Sequence, residues 1–170
     1  ISIKERSTGT INVGAGYGSA NGFFFQSAIS EINLFGRGQT VSFAAQYAAD
    51  NNFKSFNIGF TDPYSFDTEW TAGFDVFWVA NLIPKSYRTR KLGFDLRTGH
   101  PIAEYTTAYI TYKNEGLQVY DPQSPNITQE MMDSDTGILS SVVWTVVRDQ
   151  RNNRFETTGG TYQRAEVETA

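Results

Sequence analysis

The chain has 170 residues, 39% of them hydrophobic and 15% aromatic, with 14 Lys and Arg against 18 Asp and Glu for a net charge of -4. That length suits one domain with a sizeable core, and the acidic balance argues against nucleic acid as a partner. The absence of cysteine removes disulfides, thiolate metal sites and cysteine nucleophiles, and a single histidine, His100, leaves no His-based metal or catalytic cluster.

Ile11, Val13, Ala15 and Tyr17 alternate with Asn12, Gly14, Gly16 and Gly18, the period of a strand. A second strand fits 23–32. Val41, Phe43, Ala45 and Tyr47 then alternate with Ser42, Ala44 and Gln46, and Phe56, Ile58 and Phe60 with Asn57, Gly59 and Thr61. In Glu69–Ala80 every even position is apolar; a helical stripe of Trp70, Phe74, Phe77 and Trp78 also fits, and the neighbouring strands decide for β. Leu92, Phe94 and Leu96 alternate with Gly93, Asp95 and Arg97, further strands fit 103–115 and 135–148, and another begins near Tyr162. Turn signals separate them at Ala20-Asn21-Gly22, Gly36-Arg37-Gly38, Asn51-Asn52, Asp62-Pro63, Gly99-His100-Pro101 and Asn152-Asn153. The pattern predicts an all-β, antiparallel up-and-down sheet of about eight strands plus the start of a ninth.

No apolar run is long enough for a spanning helix, but strands of roughly ten residues suit a tilted bilayer crossing. A soluble barrel has the same alternation with its apolar face turned inward, so periodicity alone does not choose. Two features favour the membrane version. The polar face is rich in Gly, Ser, Thr and Asn, and Trp and Tyr lie near strand ends as in interfacial girdles. Alternate connections (Ser19–Gly22, Asp50–Asn52, Asn81–Arg88, Gly116–Asp133) are expected to form a long-loop end, opposite an end of tight turns.

Ile3-Lys4-Glu5-Arg6-Ser7-Thr8-Gly9 followed by Val13-Gly14-Ala15-Gly16-Tyr17-Gly18 resembles the start of the first barrel strand in the BamA family, the central subunits of the bacterial outer-membrane protein assembly machine. Asn33-Leu34-Phe35-Gly36-Arg37-Gly38, Thr61-Asp62-Pro63-Tyr64 and Gly99-His100-Pro101-Ile102 resemble that family's turns after strands two, four and six. Asp149-Gln150-Arg151-Asn152-Asn153 with Phe155 through Gly160 resembles its segment between strands eight and nine, where Thr157 replaces a usual proline. The resemblance implies the N-terminal half of a sixteen-stranded transmembrane β-barrel in the bacterial outer membrane. Residues 1–8 would end a preceding periplasmic repeat or linker, and 9–170 would be barrel. A half-barrel could also close on itself or pair as a homodimer.

On the residues alone, Gly14, Gly16 and Gly18 read first as relief from crowding inside a curved sheet. The resemblance implies instead that Thr10, Ile11, Asn12, Val13, Gly14, Ala15, Gly16 and Tyr17 form a weakly paired lateral gate that templates client strands by β-augmentation. It implies a non-enzymatic insertase acting on nascent outer-membrane β-barrel proteins. Accessory lipoproteins would engage mainly through the preceding repeats, and no cofactor or metal is implied. Alternatives are a TamA-like or two-partner-secretion transporter, or a passive pore. Lys85, Arg88, Arg90 and Lys91 cluster at one strand end as possible contacts for lipopolysaccharide, or as ordinary basic residues at a membrane boundary. Asp133-Ser134-Asp135-Thr136-Gly137 is half a calcium loop and reads better as a solvated tip. His100 is expected to be structural, and Asp149 with Arg151 a turn-stabilising pair.

Overall fold

The computed structural model describes residues 8–18, 22–49, 53–82, 87–122, 124–152 and 157–170. Nine strands form one sheet in chain order, every neighbour antiparallel: β1 (Gly9–Gly18), β2 (Gly22–Leu34), β3 (Gln39–Ala48), β4 (Phe53–Asp62), β5 (Thr71–Leu82), β6 (Arg88–Ala103), β7 (Thr106–Tyr120), β8 (Gly137–Asp149) and β9 (Tyr162–Thr169). The sheet is open. Among the described residues β1 pairs only with β2 and β9 only with β8, so these nine strands do not form the self-closed half-barrel.

Register and exposure together assign the two faces. Leu92 pairs with Trp78, Phe94 with Val76 and Leu96 with Phe74, making one apolar band. Ring contacts extend it: Phe56 to Trp78 at 5.7 Å, Phe60 to Phe74 at 5.9 Å and Phe94 to Tyr112 at 6.0 Å between centroids. Yet on β8 the apolar Trp144 is 52% exposed, while its neighbours on the other face, Ser141 and Thr145, are 3% and 6% exposed. The face of Ser141, Val143 and Thr145, polar and apolar side chains mixed, is the crowded concave one, and the band of large apolar side chains splays outward, the reverse of a soluble barrel.

The concave face is stitched by charge across strands. Arg97 ion-pairs with Asp75, and its guanidinium also donates to Thr61 Oγ1 at 2.9 Å. Lys91 meets Glu115 at 2.8 Å, Lys113 meets Glu168 at 3.6 Å, and Ser141 donates to Glu168 at 2.6 Å. These pairs cross β4 to β9 where short Gly, Ser and Thr side chains leave room.

Three expectations are corrected. Gly99-His100-Pro101 is not a turn: β6 continues to Ala103, and the chain reverses at Glu104-Tyr105, where Tyr105 has φ 61°. β5 begins at Thr71 opposite Gly99, so Pro101 stands beyond the reach of β5 and its missing N–H breaks no ladder on that side. β7 likewise runs through Gly116 to Tyr120, and the following connection carries a helix, α1 (Gln129–Ser134), capped by Thr128 and anchored by the buried Met132. Nor are the two ends sharply unequal. The connection 150–161 on the tight-turn side is longer than each of 19–21, 49–52 and 83–87 on the loop side, where 121–136 is the long one. That long connection has its own hydrogen-bonded frame and needs no tight turn.

Candidate functional site

β1 is a ten-residue strand held along one side only, with register from Gly9 opposite Glu31 to Gly18 opposite Gly22. Its two sets of backbone groups can be told apart. Ala49 N donates to Phe23 O at 2.9 Å, which turns the Phe23 backbone toward β3. Alternation in an antiparallel ladder then turns Phe24, Gln26, Ala28 and Ser30 toward β1, where they face Gly16, Gly14, Asn12 and Thr10. The N–H and C=O groups of Ile11, Val13, Ala15 and Tyr17 are therefore the ones aimed at the open edge. Their side chains lie on the outward face, where Ile11, Val13 and Tyr17 are 72%, 81% and 67% exposed.

On the concave face Gly14 and Gly16 are covered by β2, while a Cβ on Gly18 would meet nothing within 4 Å. A Cβ on Gly16 would lie 2.5 Å from Phe24 Cζ, and one on Gly14 would lie 3.1 Å from Gln26 Nε2. Gly93 beneath Phe77 and Gly99 beneath Tyr109 repeat the arrangement elsewhere in the sheet. Relief of crowding is thus a real role for Gly16, with a named partner. It leaves the open-edge backbone untouched.

The start of β1 is tied down by an acidic residue that periodicity did not single out. Thr8 Oγ1 donates to Glu31, whose Oε1 also accepts from Asn33 N at 3.1 Å. Asn33 Oδ1 in turn accepts from Gly38 N at 2.7 Å and closes the β2–β3 turn, in which Phe35, Gly36 and Gly38 all have positive φ. A carboxylate five residues before the Gly36-Arg37-Gly38 turn signal was the available hint.

The basic cluster divides. Lys85 lies outside the described residues. Arg88 and Arg90 share the outward face, Arg88 Nε meeting Asp121 at 2.9 Å and Arg90 standing over the Tyr120 ring at 5.4 Å. Lys91 points to the concave face and Glu115. His100 packs against Trp70 at 4.6 Å between ring centroids. Asp133 accepts from Gln129 within α1, and among the described residues no three metal-competent side chains gather. Asp149 and Arg151 form a two-pronged pair at 2.8 Å and 2.8 Å, and this hydrogen bonding holds the guanidinium pKa above its ordinary value.

Residues 33–170 match the Omp85 superfamily domain. The outer membrane protein assembly factor BamA of Nitratidesulfovibrio vulgaris is 27% identical over 95% of this chain and 20% of its own length. Its counterpart in Neorickettsia risticii is 28% identical over 91% and 21%, and that of Neisseria meningitidis serogroup B is 30% identical over 70% and 15%. The chain thus spans about a fifth of the length of these relatives. The crystal structure of BamA from Haemophilus ducreyi lacking POTRA domains 1-3 superimposes with a TM-score of 0.66 at 19% identity, covering 97% of this chain and 34% of that one.

Proposed function

The chain belongs to the Omp85 superfamily, and on that premise we propose that it forms the first part of the barrel of an outer-membrane protein assembly factor, with the open edge of β1 as its working surface. The reading is non-enzymatic: a client strand adds to β1 by main-chain hydrogen bonds, which any sequence can make, so one edge serves many clients. The clients are nascent outer-membrane β-barrel proteins, the setting is the bacterial outer membrane, and accessory lipoproteins bind through regions other than this sheet. The observation that carries the reading is the row of backbone groups at Ile11, Val13, Ala15 and Tyr17 that meets no strand among the described residues, on a strand whose opposite side is fully paired.

That row gives a test with an internal control. Val13→Pro removes one N–H from the open edge and leaves the β2 ladder whole, as edge strands tolerate. Asn12→Pro removes a ladder bond instead. The reading expects Val13→Pro in the full-length protein to fold normally in proteoliposomes and to slow client-barrel insertion about tenfold, the scale of one lost hydrogen bond with its desolvated partner. Unchanged insertion by folded Val13→Pro would make β1 a passive wall.

A further inference from the structure

A glycine in a strand usually marks a turn, a close approach or a positive φ. Gly116 on β7 shows none of these. Its φ is not among the positive ones, and a Cβ built there would meet nothing nearer than Leu92 O at 3.8 Å, an ordinary contact. Unlike Gly16, Gly93 and Gly99, it lies on the outward face, in the register row Leu92–Gly116–Ile138. Its neighbours in that row stand out from the sheet, Leu92 58% and Ile138 79% exposed. What Gly116 supplies is space: a groove of about 940 Å³ along the outer wall, bordered by Trp78, Leu92, Phe94 and Ile138.

The groove is polar only at its ends. Toward the sheet centre, Asn114 Nδ2 donates to Ser140 Oγ at 2.7 Å, so that pair satisfies itself. Toward the loop end the groove reaches Arg90 and Gln118. Arg88 is matched by Asp121 and Lys91 by Glu115, but Arg90 has no carboxylate partner among the described residues and rests on the Tyr120 ring. From Arg90 to Phe94 the slot is roughly 13 Å long at strand rise. An apolar slot of that length, opening outward and ending in a guanidinium with no carboxylate partner among the described residues, is complementary in charge and shape to an anionic amphiphile.

We infer that this groove holds one acyl chain of a phosphorylated lipid from the loop-side leaflet, with the phosphate on Arg90. The inference rests on the outward apolar face being the lipid face and is independent of client pairing at β1. It narrows the basic cluster to one recognising residue and adds Gly116, which makes room for the tail.

Lipid A in nanodiscs of phosphatidylcholine is the probe, and native mass spectrometry of the released full-length protein is the readout. Wild type is expected to retain one lipid A. Gly116→Leu fills the slot without touching Arg90 and should abolish retention. Arg90→Gln should weaken it about fivefold, the scale of one basic residue at a membrane surface, whereas Arg88→Gln, already matched by Asp121, should change it little. Strand content by circular dichroism should be wild type in all three. Retention by Gly116→Leu at the wild-type level would overturn the slot, and equal retention by Arg90→Gln would overturn the phosphate contact. Equal retention of an uncharged diacylglycerol would overturn headgroup recognition. Client insertion is not the readout, so failure here leaves the assembly reading standing, and the reverse.

Discussion

The ring of Phe24 lies over Gly16, its Cζ 2.5 Å from where a β-carbon on that glycine would sit. The obstacle is the far end of one side chain and not backbone, so it can be moved. Gly16→Ala should destabilise the β1–β2 pair by about 1–3 kcal/mol through overpacking. Shortening Phe24 to Ala in the same chain should recover a good part of that cost. A double-mutant cycle on denaturant unfolding in lipid checks it, with a coupling energy of about 1 kcal/mol expected and additivity contradicting the contact.

Gly73 makes the opposite case. Arg97 crosses above it to reach Thr61, and a Cβ there would sit 2.9 Å from Arg97 Nε and 2.7 Å from the Phe60 carbonyl oxygen. One of those neighbours is main chain. Gly73→Ala should therefore cost about 1–3 kcal/mol, and Arg97→Ala should fail to relieve it. Full recovery in the double variant, by the same unfolding measurement, would show that the backbone gives way.

The β8–β9 connection is framed by hydrogen bonds. Arg151 forks onto Asp149 and stands 4.8 Å over the Tyr162 ring, while Asn152 Oδ1 accepts from Thr158 N and Gly159 N at 3.2 Å each. Arg151→Lys keeps the charge but loses the planar fork and part of the stacking. It should loosen the connection and speed protease cutting within 150–161. Cutting at the wild-type rate would mean that the Asn152 side chain and the main-chain bonds of Gln150 and Asn152 carry the frame without the fork.

The strands and their division into an apolar and a polar face were legible because alternation is a local signal repeated along the chain; which face turns outward was not in the alternation and rested on the Gly, Ser, Thr and Asn content of the polar face. The Asp149–Arg151 pair was legible too, since only two positions separate its members. What escaped the sequence depends on relations between strands. Gly99-His100-Pro101 reads as a turn until the register shows β5 beginning only opposite Gly99. Lys91 reads as one of a cluster with Arg88 and Arg90, yet a shift of one position turns it to the other face and into the hand of Glu115. Gly116 reads as the edge of a loop, and only its place between Leu92 and Ile138 reveals the space it leaves.

The central claim, that the open edge of β1 receives client strands, is tested most directly by cross-linking. The chain contains no cysteine, so Val13→Cys or Ala15→Cys introduces a single thiol into it. Directly opposed residues on paired antiparallel strands lie about 4.5–5.5 Å apart at Cα, within reach of a disulfide. The account predicts that a client halted during insertion links to both positions from its own terminal strand, the preferred client residue moving back by two as the cysteine moves forward by two. A client that inserts at the normal rate without linking to either position would contradict it.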